Sequence, residues 1–241
     1  TLVLNRPEVM NALNSRMRAE ITEALTTLPE EARCVVLTGS GRAFCSGQDL
    51  GDAGAAADLE ATLRDEYEPM LRAITGCRAP VIAAVNGVAA GAGANLALAA
   101  DVVIAAEGAS FIQAFTRIGL VPDAGGTFII PRAIGAARAM GMMLFADAIP
   151  ARQAADWGLI WDAVADADFA EEVAARARKL AQGPTGAYLS IRHALAAAFC
   201  NDMETQLALE ARLQGEAGRS ADFREGVAAF LEKRPARFIG R

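Results

Sequence analysis

Between Arg78 and Asp101 the chain carries no charged side chain. A run of that length could cross a bilayer, so what it folds into constrains the rest. Pro80 opens the run, and Asn86, Gly87, Gly91, Gly93 and Asn95 interrupt it. Polar groups are expensive in lipid, and glycines weaken a continuous helix. The segment reads instead as a buried strand, PVIAAV (80–85), then NGVAAGAGANLALAAD (86–101), a Gly-rich turn running into a short buried helix. No membrane span is expected here. No signal peptide is read either; the chain opens at Thr1 inside an apolar alternation, as if an earlier segment were missing.

Similar strands recur. Residues 1–4 read as a strand closed by Asn5-Arg6-Pro7, and CVVLTG (34–39), DVVIAA (101–106) and LIWDAV (159–164) as further strands. Helical periodicity predicts a helix over 11–27, with Ala12, Leu13, Met17, Ile21 and Leu25 on one side. GSGRAFCSGQDL (39–50) reads as a loop, 53–57 as a mobile alanine-rich loop, and 57–76 as an amphipathic helix. Strands joined by helical crossovers indicate an α/β core of mainly parallel strands over residues 1–165. Beyond it the pattern is all helix, in blocks near 167–182, 185–200, 202–216 and 220–232, giving a helical region over 166–241.

Composition removes several classes of function. The formal charge of −6, with no basic stripe, argues against a nucleic-acid surface. Cys34, Cys45, Cys77 and Cys200 are scattered, which suggests neither a metal site nor a disulfide framework and fits reduced thiols in the cytoplasm. His193 is the single histidine and sits in a helical segment, so neither a His cluster nor a catalytic triad is expected.

Chemistry is expected at the two Gly-containing strand exits, after CVVLTG and after PVIAAV. There a strand ends, the chain turns on small residues, and N–H groups are left without intrahelical partners. Two such groups converging on one point make an oxyanion hole. Either turn alone is equally well a tight turn with no function.

Taken together with their flanks the two turns are specific. NRPEVMNAL (5–13), GRAFCSGQDL (41–50), NGVAAGAGANLALAAD (86–101), GLVPDAGGT (119–127) and GRSADFREGVAAFLEKR (218–234) resemble, in order and spacing, the enoyl-CoA hydratase/isomerase, or crotonase, family over the whole chain. CSGQDL, GAGANLALAAD, GLVPDAGG and AGRSADFREGV are most similar to its bacterial phenylacetate-degradation branch, whose members convert a ring-epoxide of phenylacetyl-CoA to an oxepin thioester. The resemblance implies a ClpP/crotonase-like spiral of ββα units with C-terminal helices packing between subunits. It also implies an acyl-CoA thioester substrate, no separate cofactor, no metal, and a homotrimer or a hexamer made of two trimers.

Carried over by position, the resemblance makes the N–H of Gln48, after Gly47, the first oxyanion donor. The N–H of Ala92, between Gly91 and Gly93, becomes the second. Family hydratases place two glutamates around a bound water; here those positions hold Asn95 and Phe115, neither a proton-transfer group. The acid falls at Asp123, where several isomerases of the family carry theirs. The residues alone leave open that Asp123 only caps a helix starting near Gly125.

Asp49 is expected as a cap or an arginine partner close to the substrate, while Glu66 and Glu68 are expected to be solvated. Arg42 matches a position beside the ribose phosphate, and Lys233 one that reaches the coenzyme, with Phe230 near it. The backbone of Glu8, Val9, Met10, Ser46 and Leu50 is expected along the adenine and pantetheine path. The reading is an acyl-CoA isomerase; a hydratase or lyase of the same fold, or a non-catalytic CoA-binding scaffold, are the alternatives.

Overall fold

The computed structural model describes residues 1–52 and 57–241, so the mobile loop expected at 53–57 falls mostly outside the described residues. The chain divides into two compact units. One comprises Thr1–Glu30, Val35–Cys77 and Val81–Ala174; the other comprises Glu31–Cys34, Arg78–Pro80 and Ala175–Arg241.

The first unit contains two sheets. Strands β1 (Leu2–Leu4), β2 (Val35–Gly39), β4 (Val81–Val85), β6 (Val102–Ala106) and β9 (Asp162–Val164) form a parallel five-stranded sheet in the order β1-β2-β4-β6-β9. Strands β3 (Ala43–Cys45), β5 (Val88–Ala90), β7 (Ser110–Ile112) and β8 (Ile149–Pro150) form a second sheet in that order, only β8 being antiparallel. The chain alternates between them, laying β2 then β3, β4 then β5, β6 then β7. That alternation is the ββα spiral of the crotonase fold. Strand β4 is central, pairing Val35 with Val81 on one side and Ile82 with Val102 on the other. All five of its residues are buried. A parallel strand covered on both faces must be apolar throughout, which accounts for the charge-free run.

Four features differ from expectation. The sequence pattern predicts no second sheet, yet GSGRAFCSGQDL contains β3, and NGVAAGAGANLALAAD contains β5 before its helix, Ala92–Leu98. The first helix begins only at Ser15, because the Asn14 side chain accepts the Met17 N–H and caps it, while Leu13 bridges to Gln48. In LIWDAV only Asp162–Val164 is strand. Finally, the helix over 57–76 is interrupted: Leu59–Thr62 leads into a π-helical turn, Leu63–Tyr67, then Glu68–Thr75. The helix Gly126–Phe145 is long and apolar enough by composition to span a membrane. Pro131, a non-helical Gly135 (φ 78°, ψ 160°), Arg132 and Arg138 interrupt it.

The second unit is helical, with Thr185–Ala198, Met203–Ala217 and Ala221–Glu232 as its main pieces. Asp202 and Ser220 cap the last two, accepting the N–H groups of Thr205 and Phe223. Asp222, almost fully buried, accepts the N–H groups of Ile239 (2.7 Å) and Gly240 (2.8 Å) and so ties down the tail.

Back in the first unit, Asn11 joins the N-terminal segment to β3. It is wholly buried with φ 56°, a left-handed conformation that asparagine tolerates. Its Nδ2 donates to the carbonyls of Ser40 (2.9 Å) and Ala43 (2.8 Å), and its Oδ1 accepts the Arg6 N–H (2.9 Å). Asn11→Ala removes these bonds at a left-handed position, the Ala43 carbonyl keeping Asn86 Nδ2 at 3.4 Å. Equilibrium urea unfolding should show a loss of about 2–4 kcal/mol; a loss below about 0.5 kcal/mol would mean the joint contributes little.

Candidate active site

Two strand-exit segments meet in the first unit. Gly47 has φ +95°, and a Cβ there would lie 2.8 Å from the Ala90 carbonyl oxygen and 3.3 Å from the Ala92 nitrogen. Gly93 is pressed against Cys45 so closely that a Cβ would strike the Cys45 carbonyl oxygen and stand 2.7 Å from its Sγ. Only chains without side chains at 47 and 93 can approach this closely. The result sets the Gly47–Gln48 peptide beside the start of the Ala92–Leu98 helix.

Both peptides have a fixed direction. The Gly47 carbonyl accepts from Leu13 N–H at 2.7 Å, and Asp49 N–H donates to the Leu13 carbonyl at 3.0 Å. In a planar trans peptide N–H and C=O point oppositely, so the Gln48 N–H faces away from Leu13. The Gly91 carbonyl accepts from Ala94 N–H (3.1 Å) and Asn95 N–H (3.2 Å), which turns the Ala92 N–H out of the helix end. Gly91 itself sits at φ 54°, ψ −129°, a glycine conformation. Among the described residues neither the Gln48 nor the Ala92 N–H donates to a protein acceptor. Phe115 is buried, its ring 3.8 Å from where a Gly91 Cβ would stand.

Asp123 completes the group. Ala124 (φ 47°) and Gly125 (φ 82°) are both left-handed, so the chain turns sharply after it. The helix that follows has Gly125 as its N-cap and no capping side chain, which disposes of Asp123 as a helix cap. Among the described residues the buried Oδ1 of Asp123 has no hydrogen-bond partner. Burial pushes its carboxyl up to about 6, opposed only by its own backbone N–H.

Asp49 provides the contrast. Its hydrogen bond to Arg6 (2.8 Å) holds its carboxyl below the ordinary range, and its Oδ1 accepts the Gly51 N–H. That makes it an arginine partner.

Residues not anticipated surround Gln48. Arg18 is buried inside the apolar stripe of its helix, and its Nη1 donates to the Leu13 carbonyl (2.7 Å) and to Gln48 Oε1 (3.0 Å). Its charge is met by Glu66 at 2.7 Å, so Glu66 is a structural partner rather than the solvated residue expected. Tyr67 lies under the Arg18 guanidinium, 4.7 Å from ring centroid to Cζ, and its hydroxyl donates to Gln48 Oε1 at 2.5 Å. Burial raises the Tyr67 phenol above its usual range, and the nearby Asp123 charge adds to the rise. A cation amid Met17, Ile21 and Leu25 was the available signal for Arg18; the π-helical turn that places Tyr67 has none in the sequence. Glu68, also expected to be solvated, pairs with Arg72 on an exposed face.

The expected coenzyme-facing residues are distributed as follows. Ser46 N–H donates to the Met10 carbonyl (3.0 Å) and Ser46 Oγ to the Val9 carbonyl (3.2 Å), which brings Val9, Met10 and Ser46 together; Glu8 and Leu50 are exposed. Arg42 is exposed in the turn before β3, with no ion pair among the described residues. Phe230 (82% exposed) and Lys233, the left-handed cap of Ala221–Glu232, belong to the second unit. Asn95 stands at the position the resemblance gives to a hydratase glutamate beside the substrate. It is wholly buried, and Gln113 and the Asp123 carbonyl occupy its side-chain amide.

The sequence model of enoyl-CoA hydratase/isomerase proteins matches residues 1–241. The chain belongs to the enoyl-CoA hydratase/isomerase family. It is 65% identical over 241 residues to a probable enoyl-CoA hydratase of Rhodobacter capsulatus, covering 100% of this chain and 94% of that protein. It is 48% identical over 248 residues to the 1,2-epoxyphenylacetyl-CoA isomerase of Escherichia coli K12, covering 100% and 95%. The solved structure of an enoyl-CoA hydratase from Polaromonas sp. JS666 superposes with a TM-score of 0.91 at 33% identity, covering 98% of this chain and 94% of that one. These similarities establish a crotonase-fold enzyme of this family, with hydration and isomerisation both represented among its relatives.

The raised Asp123 pKa carries a stability cost with a definite sign. Because the folded value (about 6) exceeds the ordinary 3.8, the folded state holds this proton more tightly. The associated stability is full below the unfolded value and is lost as pH rises through the folded one. Asp123→Asn should therefore raise unfolding stability by about 1–3 kcal/mol at pH 8, the gain shrinking as pH falls through 6 towards 4. A variant less stable than the parent at pH 8 would contradict the desolvation account.

Proposed function

We propose that this family member isomerises acyl-CoA thioesters, with Asp123 as its single acid/base. What supports the reading is one carboxyl whose Oδ1 is buried without a hydrogen-bond partner and whose pKa burial raises, its backbone carbonyl held by Asn95 of the helix that begins at Ala92. The resemblance places hydratase glutamates at 95 and 115, and this chain has Asn95 and Phe115 there.

For a 3-enoyl thioester the chemistry balances with the chain's own groups. The thioester oxygen lies on the N–H groups of Gln48 and Ala92. The Asp123 carboxylate takes a proton from C2, and the electron pair of that C–H bond delocalises into the carbonyl as a dienolate. Each donor is worth roughly 3 kcal/mol to the developing charge. Asp123 then returns the proton at C4, and the double bond stands between C2 and C3. For a ring 1,2-epoxide of phenylacetyl-CoA the same carboxyl assists C–O reorganisation. The 48% identical relative named as that isomerase supports this substrate and a place in phenylacetate catabolism.

A second reading has one observation in its favour, the 65% identical relative named as a probable hydratase. In it Asp123 alone handles water added to a 2-enoyl thioester. The proposal also includes Arg42 and Lys233 as coenzyme contacts, a cytoplasmic location, and self-assembly as a trimer or hexamer. Self-assembly is supported by exposed apolar side chains of the second unit such as Phe199 (62%), Met203 (74%) and Phe230 (82%).

Isomerisation of 3-enoyl thioesters by the parent should fall about tenfold per unit in kcat/KM below pH 6, where Asp123 takes up its proton. Asp123→Asn should lose at least about 10²-fold, and activity within a few-fold of the parent removes Asp123 from the mechanism. Crotonyl-CoA hydration should be slower than isomerisation; the opposite order favours the hydratase.

A further inference from the structure

Two side chains with no assigned role lie between the donor peptide and the acid. Asn95 and Gln113 are both wholly buried and polar. Asn95 stands within the Ala92–Leu98 helix, and its backbone N–H helps hold the Gly91 carbonyl, the other end of the Ala92 donor peptide, at 3.2 Å. Its Nδ2 donates to the Asp123 carbonyl at 2.8 Å. Its Oδ1 accepts from Gln113 Nε2 at 2.8 Å, which fixes which way the amide faces. The fit leaves no slack: a Cβ on Gly126 would lie 2.5 Å from Asn95 Nδ2.

We propose that Asn95, oriented by Gln113, is the positioning residue that sets Asp123 relative to the Ala92 donor. It rests on the reading of Asp123 as the acid/base. The reasoning is geometric. Asp123 is followed by two left-handed residues, Ala124 and Gly125, and its carboxylate Oδ1 is held by no hydrogen bond. What locates that carboxylate is therefore its own backbone, anchored at the carbonyl by Gly126 N–H (2.9 Å) and Asn95 Nδ2. Of these, Gly126 belongs to the same turn, whereas Asn95 belongs to the element carrying the donor. One neutral amide thus connects acid to donor without adding a charge beside the carboxylate.

Two variants break the connection by different chemistry. Asn95→Asp keeps the shape but has no N–H to give the Asp123 carbonyl, and it adds a carboxylate near Asp123. Gln113→Glu can only accept, so Asn95 Oδ1 loses the Nε2–H that orients it, and Nδ2, already 3.4 Å from Gln113 Oε1, is drawn towards residue 113 and away from the Asp123 carbonyl. Rate–pH profiles of 3-enoyl thioester isomerisation test both, alongside thermal unfolding. Each variant should lower kcat by roughly 10–100-fold, as displaced catalytic groups do, with KM changed less than about threefold. In Asn95→Asp the acid limb should also move up by about one pH unit, because a like charge disfavours ionisation.

Combining either variant with Asp123→Asn should cost little beyond Asp123→Asn alone, since both act through one group. If Asn95→Asp does not fold, the kcat, KM and double-variant results for Gln113→Glu decide. The positioning role is overturned if Asp123→Asn is inactive while folded variants at 95 and 113 keep the parental kcat and acid limb. It is equally overturned if their losses add to that of Asp123→Asn. Should Asp123→Asn itself keep the parental rate, the acid/base reading fails first and takes this one with it.

Discussion

The site depends on a backbone contact that only glycine permits. Gly93 lies on Cys45, and Gly47 on Ala90 and Ala92, at separations where a β-carbon would overlap the neighbouring chain. These contacts bring the exit of β3 and the exit of β5 close enough for two unpaired amides to share a neighbourhood. Each amide owes its direction to a carbonyl bonded elsewhere, at Leu13 N–H for one and within the Ala92–Leu98 helix for the other. The spiral supplies the rest. Successive ββα turns stack β3, β5 and β7 in one sheet, so residues 48, 92 and 115 come together despite wide spacing in sequence.

Charge is distributed by partnership rather than by position alone. Asp49 and Asp123 follow the first donor turn and the third strand-to-helix region, yet their surroundings push them in opposite directions. Arg6 holds the Asp49 carboxyl below its ordinary range, while burial pushes that of Asp123 up to about 6. Two carboxyls separated in this way by environment are how a fold assigns one to structure and the other to proton transfer. Arg18, the one fully buried cation among the described residues, is likewise committed to Glu66, Gln48 and the Leu13 carbonyl, so it secures the donor loop. Breaking such a buried pair from one side leaves an uncompensated charge, which is costly.

What was legible in the sequence follows from which signals are local. The long buried strands β2, β4 and β6 announce themselves as apolar runs, and the C-terminal helices by their period. Strands β3, β5, β7 and β8 have three residues or fewer, the first three with a glycine within two residues, so they carry neither a run nor an alternation. Their existence is decided by pairing with distant strands, which no local pattern encodes. The two glycine turns were legible because glycine is conspicuous, while Asp123 stood out as an isolated acid in an apolar stretch whose proposed role came from the resemblance. The place of Asn95 was legible only through the resemblance, as the position of a hydratase glutamate; its partners, Gln113 and the Asp123 carbonyl, follow from the fold and have no local signal.

That internal pairing bears on the proposed reaction itself. A carboxylate at position 95 would have faced Gln113 on one side and the Asp123 carbonyl on the other, with no donor left for the latter. It would also have put a second negative charge near a carboxyl whose pKa desolvation has already raised to about 6, and like charges raise such a value further. Asp123 would then be ionised in a smaller fraction of molecules at neutral pH, so fewer could begin by accepting a proton. A neutral amide at 95 and an apolar ring at 115 therefore do more than remove the groups that hold water in hydratases. They leave a single carboxyl with no second acid beside it, and in the proposed reaction that one group takes a proton at one carbon and gives it back at another.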